Sequence, residues 1–377
     1  VSGPSKELLE LHGELQKKYG SNRVMFANEV PVYPMISSGS LALDLAIGGG
    51  LPQDRVIEIA GGEGSGKTTL GLTAMVNFLD YSDNKDRYAL ILDVEHKLTI
   101  PWVETLIGAE RMKRVLIMWP TSIENATDMY VDAVGTGNFC FCLFDSIGGA
   151  PTIRTIQSPD GKLKSAETAN MGGNALGVQR FAQTAEIYSH INKCLTFGIN
   201  QIREDFSGYN QHITPGGRAW KHACALRLLI KRVPREEVFK KINGEDVRVG
   251  FKVVVKAVKN HLPGGVEQRK GLYWFYNIYT DEFGFGVDRV DEVVRLSILT
   301  EVCIQKGAWY YHPALPDGKI QSLGRLVDAV REDESLRATL TSELMVNIAE
   351  NGGRASAEVD EVEMTELEKL TVRNENS

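Results

Sequence analysis

The chain has 377 residues, 43% of them hydrophobic and 24% charged, with a formal net charge of -7. That length allows two or three domains of roughly 100 to 200 residues, and the composition excludes a mostly disordered, collagen-like or disulfide-stapled polypeptide. No apolar run approaches the ~18 residues of a membrane span and no segment reads as a signal peptide, so a cytoplasmic location without a membrane partner is expected.

Ser5 to Tyr19 predicts an amphipathic helix, because Leu8, Leu11, Leu15 and Tyr19 recur at helical spacing and Gly20 follows as a stop. A helix this short needs a partner surface. After a stretch holding Pro31 and Pro34, β-rich runs alternate with helical ones: Arg55 to Ala60, Tyr88 to Asp93, Phe139 to Asp145, Leu195 to Gln201 and Leu226 to Arg232. Such alternation implies a largely parallel sheet with crossover helices. Phe251 to Val258 and Gly271 to Tyr279 predict an antiparallel pair around the Pro263-Gly264-Gly265 turn. From Phe285 onward the pattern is helical, apart from a short apolar stretch at Trp309, Tyr310 and Tyr311, and a small C-terminal domain ends near Gly352-Gly353. Cys140, Cys142, Cys194, Cys224 and Cys303 form no C-x-x-C pair and read as reduced core thiols. Seven acids against Lys369 and Arg373 give residues 356–377 a net charge of -5, leaving -2 for the rest of the chain. An acidic tail on a near-neutral body is a solvated end or a screen over an anion-binding surface.

Gly61-Gly62-Glu63-Gly64-Ser65-Gly66-Lys67-Thr68 fits G-x-x-x-x-G-K-[ST], and it lies between an apolar strand and a helix starting near Lys67. Glycines let backbone N–H groups turn inward onto phosphate oxygens, the helix N-terminus adds positive potential, and Lys67 reaches the terminal phosphates. The Thr68 hydroxyl is then placed to ligate magnesium. Phe139 to Phe144 is a continuous apolar strand ending in Asp145-Ser146, where a P-loop ATPase places its second magnesium-associated acid. Asp93-Val94-Glu95-His96 ends another strand, so Glu95 faces the nucleotide either as the base that activates water or as a solvated loop acid. Asn200-Gln201 ends a further strand, its amide sensing the γ-phosphate or capping a turn.

Together these stretches resemble the bacterial RecA recombinase family. The resemblance rests on Ile36-Ser37-Ser38-Gly39-Ser40-Leu41-Ala42-Leu43-Asp44, the phosphate loop with Glu58-Ile59 before it, Asp93-Val94-Glu95-His96, Asp145-Ser146, Asn200-Gln201-Ile202-Arg203, Gly216-Gly217 and Val258-Lys259-Asn260, in order over residues 5–350. It implies an α/β fold with a P-loop RecA-type core, a largely parallel central sheet, an N-terminal polymerisation helix and a small C-terminal α+β domain. The implied segments are 1–34 for polymerisation, 35–280 for the ATPase core with two DNA-binding loops, 281–353 for the C-terminal domain and 354–377 for an acidic regulatory tail.

The implied activity is DNA-dependent ATP hydrolysis with Mg2+ by a helical filament on single-stranded DNA, which pairs homologous double-stranded DNA and exchanges strands in recombination and repair. Partners are then the two DNA forms and further copies of the chain, with single-strand-binding and loader proteins as additional ones. Residue by residue, Gly61 to Thr68 together with Thr69 would cradle the nucleotide, and Trp102 lies near the family's adenine-stacking tyrosine. Thr68 and Asp145 would hold the metal, Glu95 would activate water, Lys67 would bind phosphate, and Gln201 would couple γ-phosphate to the DNA loops. Lys259 and His261 would reach ATP on the neighbouring subunit, where the family usually carries Lys-Asn-Lys. Segments 152–169 and 203–215 match the two DNA loops, offering Met171, Arg180, Arg203, Phe206, Tyr209, Gly216, Gly217 and Arg218 to the strand. The first loop is several residues longer than usual, the second is shorter and carries Glu204 and Asp205, and His222 replaces a family aromatic. A ring-forming helicase or motor ATPase of the same fold is the alternative, and an ATP-switched binding module a third. The N-terminal helix and Lys259-Asn260 favour the filament.

Overall fold

The computed structural model describes residues 3–21, 23–30, 33–153, 174–202, 214–280 and 284–350. Helix α1 (Lys6–Tyr19) matches its expected bounds: the Ser5 hydroxyl accepts from the Leu8 N–H at the start, and the Gly20 N–H donates to the Gln16 carbonyl at the end. None of its residues is buried. Leu8, Leu9, Leu11 and Tyr19 stand exposed, while another side of the helix rests on the segment that follows it, where His12 lies against Phe26 and Gln16 Nε2 donates to the Val24 carbonyl at 2.9 Å.

Strands β1 (Val56–Gly61), β2 (Tyr88–Asp93), β3 (Val115–Met118), β4 (Phe139–Asp145), β5 (Leu195–Gln201), β6 (Cys224–Ile242), β7 (Glu245–Asn260), β8 (Lys270–Thr280) and β9 (Gly284–Val287) form one nine-stranded sheet ordered β3-β2-β4-β5-β1-β6-β7-β8-β9. From β3 through β6 every neighbour is parallel, and from β6 through β9 every neighbour is antiparallel. The expected parallel core and the antiparallel pair at β7 and β8 are both present.

Because side chains alternate along a strand, β1 feeds two cores. Ile57 and Ile59 pack with Leu70, Met75 and Phe78 of α3 (Lys67–Asp80), while Val56 faces Tyr130 of α6 (Ile123–Val134) and Phe181 of α7 (Asn174–Asn192). Strands covered on both faces are apolar throughout, which is why β4 reads as an unbroken hydrophobic run.

Two parts of the fold depart from the expectation. The segments 226–232 and 251–258 are the buried ends of a much longer hairpin, whose outer half is at most half-buried on either face and so carries no clear hydrophobic alternation. Arg248 and Glu237 pair at 2.6 Å across it. The chain after 285 departs from its helical pattern but is the small α+β unit that the resemblance implies. Helices α9 (Arg289–Leu299), α10 (Leu323–Glu332) and α11 (Glu334–Glu350) enclose a third core with Val294, Leu326, Val330 and Leu340, and beside them β10 (Ile304–Lys306), β11 (Trp309–Tyr311) and β12 (Lys319–Gln321) form an antiparallel sheet. These strands are three residues each and mostly exposed, too short to show a period. This unit grips the main one through Glu292, whose buried carboxylate accepts from the Ser40 hydroxyl and from the N–H groups of Leu41 at 3.1 Å and Ala42 at 3.3 Å. Those groups open α2 (Leu41–Ile47), so an acid sits at the positive end of a helix. No helix among the described residues is long and apolar enough to cross a membrane.

Candidate nucleotide site

Register brings the candidate residues to one edge of the sheet. Gly61 pairs with Gln201, Asp93 with Asp145, and Asp145 with Ile199, so the carboxyl ends of β1, β2, β4 and β5 lie side by side. This is the edge where open α/β sheets bind ligands.

The phosphate loop runs from the end of β1 into α3. Gly66 caps that helix at φ 94, a left-handed conformation that glycine adopts without strain. Ser65 donates to the Gly62 carbonyl at 2.8 Å, and Lys67 Nζ donates to the carbonyls of Gly61 at 3.0 Å and Gly62 at 2.7 Å. The ammonium therefore lies folded over the loop it would share with a phosphate. Burial lowers the Lys67 pKa, against the pull of Asp145, Glu95 and Glu63. Thr69 is buried in the first turn of α3 and Glu63 is exposed within the loop.

Thr68 Oγ1 donates to Asp145 Oδ2 at 2.9 Å. Burial pushes the Asp145 carboxyl up to about 6; Thr68 and Lys67 counteract it, while the charges of Glu95 and Asp93 reinforce it. A half-buried carboxylate with a hydroxyl against it and a phosphate cradle alongside is a donor set that suits a small hard cation bound together with phosphate oxygens. The residues present therefore fit ATP and Mg2+.

Glu95 lies across from Lys67. Its Oε1 accepts from the Ser146 hydroxyl and from Gln201 Nε2 at 3.0 Å, and its Oε2 pairs with Lys97 Nζ at 2.6 Å. Burial works to raise this carboxyl, but the Lys97, Ser146 and Gln201 contacts outweigh it and hold it below the ordinary glutamate range. Glu95 and Gln201, each singled out separately at a strand end, touch each other.

The other candidates lie elsewhere. Trp102, in α4 (Ile100–Ile107), is half-buried and leans on the main core. Lys259 pairs with Arg227, itself opposite Glu58, which places it two strands beyond β1 and level with a residue three positions short of Gly61. Its Nζ donates to the carbonyls of Lys221 and His222, each at 3.0 Å, at the end of α8 (Gly217–Ala223). Lys259 and His261 border a separate groove with Asp54, Arg55, His190 and His222, so one chain does not bring them to its own Lys67. Gly216 caps α8 in a left-handed conformation, and a Cβ there would meet Trp220 Cβ at 3.2 Å. Gly217 and Arg218 lie on its first turn, with Arg218 exposed, and Arg180 is exposed on α7. Met171, Arg203, Phe206 and Tyr209 lie outside the described residues.

Sequence reasoning passed over several residues at this edge. Lys97 and Ser146 hold Glu95, and Arg232, from β6, donates through Nε to the Gly64 carbonyl at 2.9 Å. Ser146 and Lys97 adjoin residues already singled out, whereas Arg232 gave no local sign. Glu58 did give one, as a charge inside an apolar strand.

Comparison with known proteins agrees with this geometry. The profile of the RecA N-terminal domain matches residues 6–271. A protein named Protein RecA from a strain of Thermus thermophilus is 30% identical over 345 residues, covering 90% of this chain and 92% of that protein. Another of the same name from Phytoplasma mali is 29% identical over 311 residues, covering 81% and 84%. With the phosphate loop, the strand-end acids and the parallel core all inside the span of that profile, the chain belongs to the RecA family.

Proposed function

We propose that this protein is an ATP-dependent homologous recombinase that forms helical filaments on single-stranded DNA and exchanges strands with homologous duplex in recombination and repair. The observation that carries the reading is the meeting of Glu95 and Gln201 at 3.0 Å on the edge that also holds Lys67, Thr68 and Asp145. Lys67 swings from the loop carbonyls to phosphate oxygens, Thr68 and Asp145 hold the magnesium ion, and Glu95 accepts the proton of the attacking water. Bound magnesium supplies charge neutralisation at the phosphates. Gln201, at the end of β5 just before the segment assigned to DNA, carries strand occupancy to Glu95. Lys259 and His261 serve the ATP of the adjacent subunit, and the exposed face of α1 docks on that subunit.

The test is ATP hydrolysis with and without single-stranded DNA, followed by electron microscopy. The expected result is turnover that rises with DNA and filaments that need both ligands. Glu95→Gln should bind ATP and DNA but slow turnover by about 10² to 10⁴. A loss of less than about tenfold leaves Glu95 a positioning group only.

A further inference from the structure

A further acid lies in β1 behind the phosphate loop, apart from the groups assigned to ATP. Glu58, in the middle of β1, is 1% exposed and meets three donors from three elements. Its Oε1 accepts from Asn200 Nδ2 at 2.7 Å and Trp220 Nε1 at 3.0 Å, and its Oε2 accepts from Arg227 Nε at 2.6 Å. Such a pair is costly to bury, and replacing it with apolar residues is often neutral or stabilising, so its presence calls for a role beyond holding the sheet.

That role follows from Asn200. Its Nδ2 also donates to the Pro215 carbonyl at 2.8 Å, and its Oδ1 accepts from the Gln201 N–H at 3.0 Å. A carboxylate and a carbonyl on one side accept only, and an amide N–H on the other donates only, so one orientation of the Asn200 amide satisfies all three. Glu58 thus fixes Asn200, Asn200 fixes the backbone of Gln201, and Gln201 Nε2 reaches Glu95.

We propose that Glu58 is a positioning residue for ATP hydrolysis, acting through Asn200 to hold Gln201 against Glu95. The proposal rests on the recombinase reading only in taking Glu95 and Gln201 as the groups that act on ATP. Glu58→Gln has a specific consequence. The Arg227 guanidinium draws the new amide oxygen, which turns the new NH2 toward Asn200 Nδ2 and flips the Asn200 amide away from the Gln201 N–H.

The experiment measures kcat and KM for ATP on single-stranded DNA for Glu58→Gln, Asn200→Ala and the double variant, with circular dichroism as the folding check and Glu95→Gln alongside. Each single variant should lose about tenfold to a hundredfold in kcat while KM stays within about twofold, and the double should be no slower than the slower single. A single variant with the parent's kcat overturns the relay. So does a double whose loss is the product of the two, or a KM that rises as kcat falls, because both describe independent or general loosening. If Glu58→Gln does not fold, Asn200→Ala and Asn200→Asp decide; the second sets two carboxylates face to face and should be the slower. Parent turnover that single-stranded DNA does not stimulate would remove the recombinase assignment itself, whereas DNA-stimulated turnover in the parent beside a fast Asn200→Ala removes the relay alone.

Discussion

Glu95 is held by contacts that oppose one another. The hydrogen bonds from Ser146 and Gln201 orient its carboxylate, but the Lys97 ion pair at 2.6 Å keeps its pKa low and so makes it a weaker base. Lys97 is two-thirds exposed, so the pair is screened by solvent and its effect is modest. Removing it should raise the Glu95 carboxyl toward the ordinary value. The acid limb of kcat/KM against pH, which reports the free enzyme, should then move to higher pH in Lys97→Ala. Unchanged profiles for the two proteins would mean that Lys97 has no hold on Glu95 in solution. The phosphate loop was legible in the sequence because its backbone geometry demands glycine, lysine and threonine at fixed spacing within the stretch from Gly61 to Thr68. The contacts of Glu58 were not: Asn200, Trp220 and Arg227 lie 142, 162 and 169 residues away, and only folding chooses among distant polar partners.

Among the elements, α1 has the clearest sequence signal and the least support from its own chain. Its caps and leucine spacing specify a helix, yet its apolar face is exposed, with Leu8 at 44% and Leu11 at 48%. Replacing both with glutamate should leave thermal melting of the isolated subunit within about 0.5 kcal/mol of the parent, as exposed changes do. Filament assembly followed by light scattering should fail. A large fall in stability instead would place the helix on its own core. The long hairpin of β6 and β7 shows the converse. Its outer half is specified by cross-strand pairs such as Arg248 and Glu237 rather than by burial, so hydrophobic period reveals only its buried end. Strand β3 was hidden for a simpler reason: four residues are too few to separate a strand from a loop.

At the scale of the whole molecule, the C-terminal unit is joined to the core by a group that titrates. Burial pushes the Glu292 carboxyl up to about 8, in spite of the hydrogen bonds from Ser40, Leu41 and Ala42. The folded chain thus holds this proton more tightly than the unfolded one. The stability it contributes is complete below the ordinary value of 4.5 and is lost as pH rises through about 8. Glu292→Gln does not titrate, so the decline of its melting temperature between pH 5 and 9, roughly the window of that shift, should be shallower than the parent's. Parallel curves would show that the carboxyl ionises without cost to the junction.

The separation of Lys259 from Lys67 within one chain bears on what a mixture of damaged proteins can do. If each active centre draws its acid from one subunit and its second cation from the next, two defective variants carry complementary halves. Glu95→Gln keeps a sound Lys259, and Lys259→Ala keeps a sound Glu95. Co-assembled at random in equal amounts, about one junction in four joins the two sound halves, so two preparations that are each nearly inert should together recover about a quarter of the parent's DNA-stimulated turnover. Recovery should vanish when the mixture is diluted below the concentration that supports assembly. A mixture no more active than its components would place the whole of the chemistry inside single subunits.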